Sequence, residues 1–217
     1  MNRETTQLPE VAPSSGARAD ASFMAGGGEM GALILSINWK ATLLGPVSGW
    51  PQSLRTSVSS CLNSRFPMVI FWGPELVLLY NDAYLPIIGE KHPGSMGQAG
   101  LVAWAEIRGV IEPMLRSVIT TGEATWSEHM MLPIKRNDAP HESYFTFTYG
   151  PIREESGGVG GVFCAVMETT EEVIEGRRLR LLNALAQATQ AKTPAEACAV
   201  AAAQLAHSPS DVPFALL

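Results

Sequence analysis

Residues 144–172 constrain the fold more than any other part of the chain. Their sequence is YFTFTYGPIREESGGVGGVFCAVMETTEE. At its start, Tyr144, Thr146 and Thr148 alternate with Phe145, Phe147 and Tyr149, a pattern of aromatic and β-branched residues that is typical of a β-strand. A polar, glycine-containing turn follows at 154–158, and residues 162–166 predict a return strand. The charged run at 168–172 predicts the start of a helix. A hairpin whose last strand runs directly into an outgoing helix can pass a conformational change to a downstream partner.

Composition and charge limit the classes of protein that this chain can belong to. The 217 residues are 46% hydrophobic and 17% charged, enough for one domain with a sizeable core and some appendages. The net charge of −6 argues against nucleic acid and against an anionic membrane surface as partners. No apolar run approaches the ~20 residues of a membrane span, and no signal peptide is recognised. Three scattered cysteines, Cys61, Cys164 and Cys198, suit a reducing, cytoplasmic environment.

The first part of the chain divides into a tail and a helical extension. Residues 1–26 are rich in Pro, Ser, Gly, Ala and Thr, which predicts a disordered tail. Residues 27–65 predict an N-terminal helical extension, in which a short amphipathic helix begins near Met30. A second helix is indicated after Pro51 by an apolar stripe of Leu54, Val58, Cys61 and Leu62.

The middle of the chain predicts a mixed α+β domain. Residues 68–80 indicate a β-hairpin, and Asn81 is a candidate cap for the helix that follows. Residues 104–121 have the clearest helical periodicity, although Pro113 interrupts it. Three further strands come next, so the expected fold is a five-stranded antiparallel sheet with helices on one face, flanking N-terminal helices and an outgoing C-terminal helix.

The C-terminal part predicts more helix. The pattern of residues 171–192 predicts one helix with an apolar seam. The helix is too short for a firm coiled-coil prediction. Residues 193–196, TPAE, are a capping box that begins an alanine-rich helix to about His207. Residues 212–217 then predict the beginning of a strand.

The element order and one motif resemble a known family of sensor domains. The run Glu168-Thr169-Thr170-Glu171 is similar to the Asp-Ile-Thr-Glu-like motif that ends PAS domains, and the strand–helix–strand order is the PAS order. The resemblance covers residues 66–170 and implies a sensor module that acts through the helix at 171–192. Residues 179–217 resemble the opening of a GAF domain, which assigns 193–217 to the start of a truncated GAF domain.

The chain from Met30 onward also resembles the N-terminal region of bacterial hybrid sensor histidine kinases. The matching stretches are LLGP at 43–46, GWPQSL at 49–54, RFPM at 65–68, FWGPEL at 71–76, YNDAY at 80–84, KHP at 91–93 and YGPIR at 149–153. The resemblance implies downstream kinase domains and a response regulator as partners of the parent protein. No catalytic residue of a kinase is expected in this chain itself.

Several kinds of chemistry find no support in the sequence. The glycines at 157–161 lie between two strands, whereas phosphate-binding loops open a helix. His207 precedes a Ser-Pro loop and is a poor phosphoacceptor. The helix at 104–121 has no histidine for haem, and residues 94–102 have no cysteine for a flavin photoadduct. No cofactor or metal is therefore expected, although a haem bound elsewhere stays open.

The resemblance, together with strand parity, predicts an apolar ligand site between the sheet and the helices. Tyr84, Tyr149, Trp104 and His129 are the polar groups that could orient a small apolar or amphipathic ligand, such as a fatty-acid-like signal. The complete predicted lining is Tyr84, Trp104, Ile107, Ile111, Leu115, His129, Phe145, Phe147, Tyr149, Val162, Cys164 and Val166. A packed core without any ligand is the open alternative.

Two functions therefore compete. The first is a cytosolic sensor that binds a small-molecule signal and controls autophosphorylation through the outgoing helix. The second is a ligand-free dimerisation or relay module of a signalling protein with phosphatase or cyclase output. A homodimer is expected in both cases, through apolar stripes formed by Leu54, Val58 and Leu62 before the core and by Leu181 and Leu185 after it.

Overall fold

The structure is a computed structural model, and it describes residues 22–136 and 139–215. The α-helices are α1 Gly28–Ser36, α2 Gln52–Leu62, α3 Leu85–Ile88, α4 Gly100–Ala103, α5 Arg108–Thr121, α6 Thr170–Ala186 and α7 Pro194–Ala206. The strands are β1 Met68–Trp72, β2 Val77–Tyr80, β3 Thr125–Met131, β4 Lys135–Arg136, β5 Ala139–Pro140, β6 Tyr144–Arg153 and β7 Val159–Glu168.

Five of these strands form one antiparallel sheet, as predicted. The strand order is β2-β1-β7-β6-β3, so the last strand of the domain lies in the middle, beside the first. In β6, Phe145, Phe147 and Tyr149 are buried while the residues between them are partly exposed. Their register partners include Cys164 and Val166 of β7, which are also buried. This alternation confirms the predicted parity of the hairpin and gives the sheet one apolar face.

The two N-terminal helices cover the opposite face of β1 and β2. Ile70 and Leu79 are a register pair, and they meet Ile34 of α1 and Val58 of α2. Phe71, the neighbour of Ile70, points to the other side of the sheet, towards α5. Both faces of β1 and β2 are consequently buried.

This packing corrects the expected dimer contact of α2. Leu54, Val58 and Leu62 are all buried within their own chain, so they form no free stripe. The sequence suggested that these residues lacked partners, because it does not show that α1 and α2 fold back over the sheet.

The start of α1 is held by a side chain from the turn that follows β2. The Asp82 carboxylate accepts hydrogen bonds from the backbone N–H of Glu29 at 3.0 Å and of Met30 at 2.7 Å. Asn81 does not cap the helical turn that follows it, contrary to the prediction. Its buried amide instead accepts from the Met68 N–H and donates to the carbonyl oxygens of Cys61, Ser64 and Phe66.

The helix predicted at 104–121 is broken near its start. Gly100–Ala103 and Arg108–Thr121 are α-helical, and a 3₁₀ turn, Ala105–Ile107, separates them. Gly122, with φ 68°, ends α5 as predicted. Pro113 lies inside α5 on its exposed side. Because proline has no N–H, the carbonyl oxygen one turn earlier lacks its helical donor and can accept a hydrogen bond from water instead.

Two predictions at the ends of the chain need correction. Met24 is buried and the Phe23 ring lies 6.1 Å from that of Trp50, so ordered packing begins inside the region predicted as a tail. The rest of that prediction, residues 1–21, lies outside the described residues. Residues 212–215 form no strand, because no neighbouring strand is placed to pair with them in the described chain.

The predicted cap of α7 is confirmed. The Thr193 hydroxyl accepts a hydrogen bond from the Glu196 N–H at 3.2 Å.

Candidate functional site

An apolar cavity of about 40 Å³ lies between the sheet and the helices. The sheet supplies one wall from β1, β6 and β7. The rest comes from α3, from α5, from the turns before these two helices and from the segment after β3. The lining residues are Val69, Phe71, Tyr84, Ile87, Trp104, Ile107, Ile111, Leu132, Ile134, Phe145, Phe147, Tyr149, Cys164 and Val166. The space exceeds the ~10–15 Å³ that one water needs, and is far below that of a drug-sized pocket.

Most of the predicted site residues meet at this cavity. Those that line it are Tyr84, Trp104, Ile107, Ile111, Phe145, Phe147, Tyr149, Cys164 and Val166. Leu115 and Val162 belong to the same buried core but do not line the cavity. His129 does not line it either, and its side chain has a different environment.

Sequence reasoning missed five lining residues: Val69, Phe71, Ile87, Leu132 and Ile134. The first two could have been found from strand register, because Val69 pairs with Cys164 and Phe71 with Val162. Paired residues of antiparallel strands share one face of the sheet. Leu132 and Ile134 follow β3 in an irregular segment, where no periodicity indicates which side chains turn inward.

Aromatic rings fix the shape of the cavity. The Tyr149 ring packs edge-on against Phe71 at a centroid distance of 6.0 Å and lies 5.0 Å from Phe147. Tyr84 and Trp104 form a second edge-to-face pair at 6.5 Å. Such pairs are more directional than aliphatic contacts, so they hold the walls in a defined arrangement.

The polar groups on the walls are neutral. Burial, the largest influence, raises the pKa of the Tyr84 and Tyr149 hydroxyls well above the ordinary 10.0. Burial likewise raises the pKa of the Cys164 thiol, so it is an unreactive thiol at physiological pH. The nearby Trp104 indole N–H lowers the pKa of the Tyr84 hydroxyl and so partly offsets the effect of burial.

An ion pair packs against the Trp104 ring of this wall. Lys91 Nζ is 2.5 Å from Glu106 Oε1 and 5.0 Å from the centre of the Trp104 ring. Burial raises the pKa of the Glu106 carboxyl, but hydrogen bonds and the Lys91 charge outweigh it and leave that pKa below 4.5. Neither residue lines the cavity, so the pair supports Trp104 from outside.

His129 lies at the junction between the sheet and the outgoing helix. Its backbone has φ 46° at an irregularity in β3, between Ser127 and Met130. Its ring Nδ1 is 2.9 Å from the hydroxyl of Thr169, the residue before α6. The left-handed backbone re-aims the side chain away from the cavity and towards this junction.

The same junction contains the motif that ends the sheet. Glu168 is paired with Arg136 at 2.6 Å and accepts a hydrogen bond from the Thr170 hydroxyl at 2.8 Å. That hydroxyl also accepts a hydrogen bond from the Tyr144 N–H. Val166, only two residues before Glu168, lines the cavity. The cavity wall and the start of α6 are therefore parts of one continuous strand.

Comparison with known proteins identifies the family. A family model described as PAS fold matches residues 63–174, more than half of the 217 residues. The chain belongs to the PAS family. No curated protein matches the sequence. In the described part of this PAS protein, no helix is long and apolar enough to cross a membrane, and no cluster of His, Cys, Asp or Glu suits a metal ion.

Solved structures with low sequence identity resemble this PAS domain. A sensory box sensor histidine kinase from Vibrio cholerae is 14% identical with TM-score 0.36, over 48% of this chain and 77% of that one. An RNA-binding Light-Oxygen-Voltage receptor is 23% identical with TM-score 0.44, over 69% of this chain and 42% of that one. The phage VqmA–DPO complex is 15% identical with TM-score 0.44, over 75% and 82%.

Proposed function

We propose that this chain is the cytosolic sensor module of a histidine kinase, and that it binds a small, largely apolar molecule in the cavity. Residues 66–170 are the sensor core, and residues 171–192 are the helix that carries its state onward. Residues 193–217 begin a GAF domain in this proposal. The parent protein supplies the kinase domains and acts on a response regulator.

The observation that carries this proposal is the continuity of β7 from the cavity to α6. Cys164 and Val166 line the cavity, and Glu168 and Thr169 form the junction. A ligand that moves β7 by a fraction of an ångström changes the hydrogen bonds at the first turn of α6. The ligand shifts the junction from one conformation to another only if it binds the second conformation more tightly than the first.

A cavity-filling variant tests the ligand-binding part of the proposal. Ile111→Trp places a large ring in the cavity, because Ile111 is buried on α5 and lines it. Val110→Trp is the matched control, since Val110 is the preceding helix residue and is 41% exposed. Thermal melting is used to screen small apolar and amphipathic compounds, fatty acids included. A compound that stabilises the wild type should also stabilise Val110→Trp, but not Ile111→Trp.

One result would favour the relay function instead. Overpacking a solid core costs about 1–3 kcal/mol or more. If Ile111→Trp unfolds the protein and no compound shifts the melting temperature of the wild type, the interior has no ligand. The small volume of the cavity, about 40 Å³, is the observation that favours this relay function, because it leaves little room for a ligand.

The homodimer remains part of the proposal, with a changed interface. On α6, Leu179 and Leu182 are 59% and 63% exposed, one turn apart. Leu181 and Leu185, the predicted contacts, are only partly exposed. Light scattering of Leu179→Lys/Leu182→Lys should show loss of a dimer that the wild type forms at micromolar concentration.

A further inference from the structure

The cavity of the proposed sensor has a specific pattern of polar groups. Its walls carry two phenol hydroxyls, one indole N–H and one thiol, all of them neutral. Among the described residues, no Asp, Glu, Lys, Arg or His lines the cavity. A carboxylate or phosphate buried here would lose its hydration without gaining a cation, which costs several kcal/mol. The chemistry of the walls therefore disfavours an anionic ligand.

The two phenol hydroxyls differ in what they contact. The Tyr84 hydroxyl lies beside Trp104, whose indole N–H lowers the pKa of that hydroxyl. The Tyr149 hydroxyl makes no hydrogen bond with any residue in the described part of the chain, although Tyr149 is only 5% exposed and lines the cavity. Because this hydroxyl has no protein partner in the described part of the chain, it is available to a ligand that enters the cavity.

We infer that the ligand is a small neutral molecule that carries a hydrogen-bond acceptor, and that the Tyr149 hydroxyl donates to this acceptor. The inference rests on the proposed ligand binding. A phenol O–H donates more strongly than it accepts, because its oxygen lone pair is delocalised into the ring. A ketone, ether or ring nitrogen fits this description, and a fatty acid in its ionised form does not.

Four ring compounds of similar size distinguish the possible ligand classes. Pyridine at mildly alkaline pH is neutral with an acceptor, and benzene is neutral without one. Benzoate is an anion and N-methylpyridinium a cation. Because a benzene-sized ligand needs about 150 Å³, binding is measured in the wild type and in Ile111→Ala, which enlarges the cavity.

Dissociation constants from NMR titration give the decisive comparison. Pyridine should bind about three- to tenfold more tightly than benzene, the range expected for one hydrogen bond, and both should bind more tightly than the two ions. Tyr149→Phe should remove the preference for pyridine and leave benzene binding unchanged. Tyr144→Phe is the matched control, because its hydroxyl bonds Glu142 at the surface, away from the cavity.

The remaining outcomes separate this inference from the proposed function. Equal binding of pyridine and benzene, or a pyridine preference that survives Tyr149→Phe, overturns the role of Tyr149. Tightest binding of benzoate or N-methylpyridinium overturns the neutral class while ligand binding itself stands. Absence of binding by all four compounds in both the wild type and Ile111→Ala overturns the proposed ligand binding, and this inference with it.

Discussion

His129 Nδ1 lies 2.9 Å from the Thr169 hydroxyl, which joins the edge strand β3 directly to the residue that precedes α6. The two residues are far apart in sequence, and the irregular, left-handed backbone at His129 brings them together. The bond links the far edge of the sheet to the outgoing helix.

Removing this contact should loosen the junction without unfolding the core. His129→Ala is expected to lower the free energy of unfolding by about 1 kcal/mol, the usual contribution of one hydrogen bond. Chemical denaturation measures this change. His141→Ala is the control, because His141 is exposed and only its backbone N–H is bonded, to Ile134. Equal effects of the two substitutions would mean that the His129 ring contributes nothing to stability.

The cap of α1 by Asp82 should also be measurable. Asp82→Ala leaves the N–H groups of Glu29 and Met30 without their acceptor, and the expected loss is about 1–2 kcal/mol of unfolding free energy. Glu75→Ala, an exposed carboxylate in the β1–β2 turn, should change it by less than about 0.5 kcal/mol. If Asp82→Ala matches this control, α1 is held by apolar packing alone.

The Lys91–Glu106 pair predicts a pH dependence of stability. The folded pKa of Glu106 is below its unfolded value of 4.5, so the unfolded state binds the proton first as pH falls. The stabilisation from this group is complete above pH 4.5 and is lost as the pH falls through the lower, folded pKa. Melting temperatures below pH 5 should therefore fall less steeply in Glu106→Gln than in the wild type. Parallel curves would contradict this.

Removal of one buried hydroxyl should stabilise the fold. Ser143 is buried, and its Oγ has no hydrogen-bond partner in the described part of the chain. Ser143→Ala is expected to raise the free energy of unfolding by about 1 kcal/mol, because an unsatisfied buried group is removed. Urea titration measures the difference. A loss of stability would show that the hydroxyl is bonded in solution, for instance by an internal water.

The sequence predicted the fold and part of each cavity wall, because strand alternation and helical periodicity are local patterns. In β6 only one face is buried, so Phe145 and Phe147 stand out by alternation. In β1 both faces are buried, and the run MVIFW shows no alternation that could assign Val69 or Phe71 to the cavity. The position of α1 and α2 depends on tertiary packing, which local pattern does not report.

His129 shows a second limit of sequence reasoning. Strand periodicity through β3 gives each side chain a face, but the irregularity between Ser127 and Met130 changes the register. The left-handed backbone conformation of His129 has no local sequence signal, because the position is not occupied by glycine, the residue that usually adopts a positive φ. Periodicity also continued across the 3₁₀ turn Ala105–Ile107, so it did not reveal that the predicted helix is broken there.

The central claim is that the state of the cavity reaches the start of α6. Hydrogen–deuterium exchange of residues 168–176 in Ile111→Trp and in Val110→Trp tests it most directly, because only the first substitution fills the cavity. We expect the exchange rates of these amides to change in Ile111→Trp and to match the wild type in Val110→Trp. Unchanged exchange at 168–176 in a folded Ile111→Trp protein would contradict it.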